Sequence, residues 1–144
     1  MIERENFMSK KYYLISHNEY ASGIKKAVEM IAGPQENLKA LCLMPGNHPD
    51  TVIETIEREL TPNDEVVIMG DIAGGSMCNA AMRLSILPNV VLVAGTNLPL
   101  ALEVILAGAT DQSTIQMIVE NAKAGIKILT VDQDVSDDEA ELFG

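Results

Sequence analysis

Of the two histidines in this 144-residue chain, His17 follows directly on a short apolar segment, Tyr12-Tyr13-Leu14-Ile15-Ser16. Imidazole titrates near 6.5, so a neutral ring with a nucleophilic nitrogen is abundant at cellular pH. Asp71 stands in Gly70-Asp71-Ile72-Ala73-Gly74-Gly75-Ser76, a run too rich in glycine for helix. A carboxylate that accepts a hydrogen bond from one ring nitrogen fixes the tautomer and leaves the other lone pair outward. Gly74-Gly75-Ser76 then offers successive backbone amides at a predicted helix start, with Ser76 as its cap, and such amides bind phosphate oxygens. The run lacks the Lys-Ser/Thr of a P-loop and the third glycine of a dinucleotide fingerprint. A nucleotide is therefore disfavoured, and a small phosphoryl group fits. Taken singly, each residue has a plainer reading: His17 as a space-filling side chain at a helix start, Asp71 as a turn residue holding its own loop amides.

The elements that carry these residues shift the balance between the readings. The spacing predicts strands at Tyr12–Ser16, Leu38–Met44, Glu65–Met69, Val90–Ala94 and Ile126–Val131. Helical periods fall between them: Ala21, Ile24, Ala27, Val28 and Ile31; then Val52, Ile53, Ile56 and Leu60 behind Pro49; then Ser76 through Ile86, Leu98 to Ala107, and Ser113 to Ala124 behind Asp111. Strand alternating with helix means parallel strands joined by right-handed crossovers, hence an α/β, doubly wound open sheet. In the flavodoxin-like order 2-1-3-4, strands one and three are neighbours and their tips lie about 4.8 Å apart. His17 and Asp71 are thereby placed side by side without any appeal to their chemistry. One domain is read over residues 12–131, with 1–11 as a polar extension or leader and 132–144 as an acidic tail.

Composition excludes several alternatives. Aromatic residues make up 3% of the chain and all lie near its ends, so most of the chain offers no stacking platform for a sugar ring or a base. The net charge of −11 argues against nucleic acid or an anionic membrane as partner. Six of the twenty-one acids fall in the last thirteen residues, so the body, with ten bases against fifteen acids, is only mildly acidic. Cys42 and Cys78 show no C-x-x-C or Cys/His spacing for zinc or redox chemistry, and no apolar run approaches a membrane span. A cytoplasmic protein with no metal and no cofactor is expected. His48 reads as an exposed helix-cap residue, Cys78 as a buried spectator, and Met30, Met69, Met77, Met82 and Met117 as core packing.

Ile15-Ser16-His17 with Ala21 and Gly23, Pro45-Gly46, Asp71-x-x-Gly74-Gly75-Ser76-x-x-Asn79-Ala80-Ala81, and Ala94-Gly95-x-Asn97-Leu98-Pro99-Leu100 together resemble the IIA component of the mannose-type phosphoenolpyruvate:sugar phosphotransferase system. The resemblance runs from about Tyr12 to Val131. It implies that His17 takes a phosphoryl group from the phosphocarrier HPr and passes it to a separate IIB protein, with Asp71 as its orienting partner. Gly74, Gly75, Ser76, Asn79 and Asn97 match positions around the same pocket. It also implies a homodimer in which a last strand, here Ile126–Val131, is exchanged between subunits. Two positions depart from the family pattern: Asn18 stands where glycine is common after the histidine, and Met77 where proline usually follows Gly-Gly-Ser. A non-catalytic sensor domain of the same fold is the alternative. A receiver-type aspartyl-phosphate domain fits less well, because strand one ends in Ser-His and not in an acidic pair that would hold magnesium.

Overall fold

The computed structural model describes residues 9–132. Among these, four strands, β1 (Ser9–His17), β2 (Leu38–Leu43), β3 (Asp64–Gly70) and β4 (Val90–Val93), form one parallel sheet in the order β2-β1-β3-β4. The helices are α1 (Tyr20–Ala32), α2 (Pro49–Glu59), α3 (Ser76–Ala81), α4 (Leu98–Ala107) and α5 (Gln112–Ala124). Side chains alternate across the sheet, and each face has its own core. Tyr12, Leu14, Val67 and Met69 pack with α1, α4 and α5, whereas Tyr13, Ile15, Val66 and Ile68 pack with α2 and α3. This double cover is why the central strands read as unbroken apolar runs. Burying each large side chain of this kind contributes about 1.5–3 kcal/mol, so the two central strands anchor the tips that follow them.

Helix starts follow local chemistry. Pro49 begins α2, the Asn97 side chain accepts from the Leu100 amide at 3.0 Å to start α4, and Asp111 Oδ2 accepts from the Thr114 amide at 2.9 Å to start α5. The Ser113 hydroxyl, with the Thr114 amide and hydroxyl, brings the Asp111 carboxyl down to about 2. No helix among the described residues is long and apolar enough to cross a membrane.

The structure differs from the sequence reading at several places. β1 begins at Ser9 and not Tyr12, because Ser9–Lys11 pair with Asp64–Val66 and Lys11 Nζ lies 2.8 Å from Asp64 Oδ2. Residues 9–11, read as part of an extension, are thus sheet; 1–8, and the acidic tail beyond Asp132, lie outside the described residues. The helix read through Ile86 stops at Ala81 and tightens into a 3₁₀ turn, Met82–Ile86. Leu87 is extended ahead of Pro88, as sterics demand, and the final turn is shortened to meet it. Met30, Met82 and Met117, read as core, are 90%, 57% and 68% exposed, because their helices turn them away from the sheet. Ile126–Val131, read as a fifth strand, forms no strand within this chain, and its large side chains are exposed.

Candidate functional site

β1 and β3 are paired with Ile15 opposite Gly70, so the two chains leave the sheet together and present His17 and Asp71 at adjoining tips. Asp71 Oδ2 accepts the His17 backbone N–H at 2.8 Å and lies 2.8 Å from His17 Nδ1, while Oδ1 accepts the Ile72 N–H at 2.9 Å. Burial pushes the Asp71 carboxyl up, but the hydrogen bonds from the His17 amide, the His17 ring and the Ile72 amide outweigh it, and the net shift is downward. The group is therefore a carboxylate at neutral pH. A carboxylate only accepts, so in the neutral ring the proton resides on Nδ1 and the lone pair on Nε2. The ring is half open, with 49% of its side chain exposed against 13% for Asp71.

Ser76 Oγ lies 3.1 Å from His17 Nε2. This corrects its reading as a helix cap: Gly75 holds the cap position, with no side-chain cap bond, and the Ser76 hydroxyl turns to the histidine. The Gly75 amide donates to Ile72 O at 3.2 Å, so the amides left for an anion begin in the first turn of α3. Gly74 adopts φ +79°, which favours glycine, and a Cβ on Gly75 would lie 3.1 Å from His17 Cε1 and 2.6 Å from Ile72 Cγ2. The two glycines thus do different work: the first bends the loop, the second clears the ring.

The family model of the phosphotransferase system (PTS) fructose IIA component, EIIA-man, matches residues 12–123. The chain belongs to this mannose-type IIA family. It is similar to the PTS system mannose-specific EIIAB component of Escherichia coli K12, 31% identical over 121 residues that cover 79% of this chain and 38% of that protein. The chain thus spans less than half the length of that relative. It is also similar to the PTS system fructose-specific EIIA component of Bacillus subtilis 168, 27% identical over 140 residues covering 85% and 94% of the two chains. A solved PTS IIA protein associated with the fucose utilization operon of Streptococcus pneumoniae superimposes with a TM-score of 0.74 at 27% identity, covering 90% of this chain and 98% of that one.

The departures of this IIA chain from the family pattern have local explanations. Asn18 sits at φ 50°, the left-handed region that a glycine would fill and that asparagine tolerates. Its Oδ1 accepts the Glu19 amide at 2.8 Å and its own amide donates to Leu43 O at 2.8 Å, so the turn after the histidine is kept. Met77 is fully buried in the core between α2, α3 and the sheet, where its side chain fills space.

The remaining sequence candidates fall outside direct contact with the ring. Asn79 Nδ2 donates to Gly74 O at 3.1 Å and braces the glycine loop. Asn97 Oδ1 is committed to the start of α4, which leaves its amide nitrogen as the donor end. His48 is exposed at the start of α2 and makes no side-chain cap bond. Cys78 is buried, burial raises its thiol, and its Sγ occupies the space a Cβ on Gly70 would need.

Ser16 was legible as part of the Ser-His pair but not for its role. Its Oγ accepts the Ala21 amide at 2.7 Å and donates to Asn18 O at 3.1 Å, which caps α1 from the strand end and locks the turn carrying His17. A serine two residues before a helix-opening turn was the available signal. A cavity of about 660 Å³ lies at the other end of the sheet between Lys10, Tyr13, Lys39 and Glu59. Its lysines are engaged, Lys39 with Glu59 at 2.7 Å and Lys10 with Gly108 O at 2.8 Å, and it is remote from the histidine.

Proposed function

We propose that this IIA chain is a phosphocarrier that accepts a phosphoryl group from phospho-HPr on His17 Nε2 and passes it to a IIB protein for sugar uptake and phosphorylation. The observation that carries this reading is the ring of His17, held by a carboxylate at Nδ1, with Nε2 beside a hydroxyl on an open strand tip. In the transfer, the Nε2 lone pair forms the bond to phosphorus, the donor's bond to phosphorus breaks, and its electron pair leaves with the donor. Asp71 stabilises the positive charge that develops on the ring, and the Ser76 hydroxyl turns from the lone pair to a phosphoryl oxygen. The amides of the first turn of α3 and the Asn97 amide supply further donors, so the catalysis is positioning and electrostatics. The reaction as proposed uses no metal or organic cofactor and runs in the cytoplasm, where both protein partners meet the open ring. Incubation with phosphoenolpyruvate, enzyme I and HPr, followed by mass spectrometry, is expected to show one acid-labile phosphoryl adduct. Absence of any adduct rejects the reading.

Gly75→Ala tests the fit around the ring. The added methyl is expected to displace the imidazole and slow transfer about tenfold or more, with the circular dichroism spectrum unchanged. Stopped-flow transfer from phospho-HPr measures it, and a wild-type rate would show that the ring has room to spare.

The same reading includes a homodimer. A groove of about 390 Å³ follows the free edge of β4, lined by Val91, Leu92, Val93, Ile115, Gln116 and Val119, and an uncovered edge of this kind invites a strand. The exposed apolar segment Ile126–Val131 has the composition to fill it from a second copy. Sedimentation is expected to give a dimer for the full chain and a folded monomer after truncation before Ile126, since neither core draws on that segment. A truncated chain that remains dimeric would remove the segment from the interface.

A further inference from the structure

We propose that Tyr20 is a positioning residue for phosphoryl transfer, a strap that ties the loop bearing His17 to the loop bearing Asn97; this rests on the phosphocarrier reading above. Three loops meet at the carboxyl end of the sheet. The Asp71 amide donates to Ile15 O at 3.1 Å, joining the tips of β1 and β3, and the Thr96 amide donates to Gly70 O at 3.0 Å, joining β3 to the loop after β4. These links are backbone to backbone and survive most substitutions. The circuit closes through one side chain: the Tyr20 hydroxyl donates to Thr96 O at 2.6 Å, across 76 positions of sequence.

Tyr20 opens α1 three residues after His17, and Thr96 immediately precedes Asn97, whose side chain starts α4. One hydroxyl therefore links the start of the helix after the nucleophile's loop directly to the peptide that precedes the Asn97 donor. Thr96 is 2% exposed, so removing the Tyr20 hydroxyl takes a hydrogen bond away from a buried peptide. Tyr20 itself is 46% exposed, so it is held by its polar end more than by burial of its ring. Without the strap, His17 keeps its contacts with Asp71 and Ser76 but loses its register with the loop after β4. A shift well under 1 Å between nucleophile and donor is enough to slow transfer about tenfold.

The test compares Tyr20→Phe with Tyr12→Phe in the full chain. Tyr12 makes the same type of bond, hydroxyl to Ala109 O at 3.1 Å, where α4 ends and far from the site. Single-turnover transfer from phospho-HPr is measured over a range of donor concentrations, below the thermal midpoint of each variant. Tyr20→Phe is expected to lower the saturating rate about tenfold with the half-saturating donor concentration unchanged, while Tyr12→Phe transfers at the wild-type rate. A Tyr20→Phe saturating rate within twofold of wild type overturns the strap. So does an effect confined to half-saturation, which would make Tyr20 a docking contact, or an equal slowing in Tyr12→Phe, which would make the loss one of general stability. Wild-type protein that takes up no phosphoryl group overturns the phosphocarrier reading itself, whereas adduct on the wild type with an unaffected variant overturns the strap alone.

Discussion

His17→Ala is expected to abolish the phosphoryl adduct altogether, while His48→Ala acquires it like the wild type. The expectation rests on environment, since two imidazoles of the same chemistry occupy different places in one fold. His17 has a carboxylate at Nδ1, a hydroxyl at Nε2 and a glycine cleared from beside its ring. His48 makes no side-chain cap bond at the exposed start of α2. Because the Nε2 lone pair is the bond-forming pair in the proposed transfer, no residual rate from positioning alone remains when the ring is gone. Mass spectrometry of the intact chain, before and after mild acid, checks the result. Adduct on His17→Ala, or its loss from His48→Ala, moves the site elsewhere.

Asp71→Asn is expected to slow transfer by about two orders of magnitude or more, the range lost when positioned acid–base help is removed. The amide has one acceptor oxygen where the carboxylate has two, and three donors converge on this group. One backbone amide therefore loses its partner, and a stability cost of about 1 kcal/mol accompanies the loss in rate. The rate effect far exceeds that cost, which separates the action on the ring from the support of the loop. Stopped-flow transfer at saturating phospho-HPr, paired with thermal unfolding, measures the two together. An unchanged rate would reduce Asp71 to a turn residue.

A pH dependence follows from the depressed carboxyl. Its stabilising contribution is full above the unfolded value, about 3.9, and is lost as pH falls through the lower folded value. Wild type is therefore expected to lose more stability than Asp71→Asn on acidification below about pH 4. Equal losses would show that the carboxyl is not held down in the folded state.

Much of the fold was legible because it is written in local periods. Val66–Met69, apolar without alternation, announces a strand covered on two faces, and Asp111 ahead of Ser113 and Thr114 announces a helix start; each signal needs only neighbours a few residues away. The pairing of His17 with Asp71 at the candidate site was legible for a related reason. Once the elements alternate and the order 2-1-3-4 applies, the tips of strands one and three adjoin, and the residues standing there are His17 and Asp71.

Other features depend on what lies across the fold, where no local period reaches. Met30 and Met117 have core-type spacing, yet face solvent, since only the packed sheet determines which side of a helix is inward. Ser76 reads as a cap from its position, but its hydroxyl meets His17 across 59 residues of sequence. Ile126–Val131 has strand composition and forms no strand within this single chain, because a strand exists only where an edge pairs with it. By itself the sequence determined the alternation of elements, the sheet they build and the residues at its carboxyl end. Tertiary structure decided which of those residues touch, since a hydrogen bond such as that from Tyr20 to Thr96 O is set by a distance of 2.6 Å in space and by nothing in the 76 positions between them.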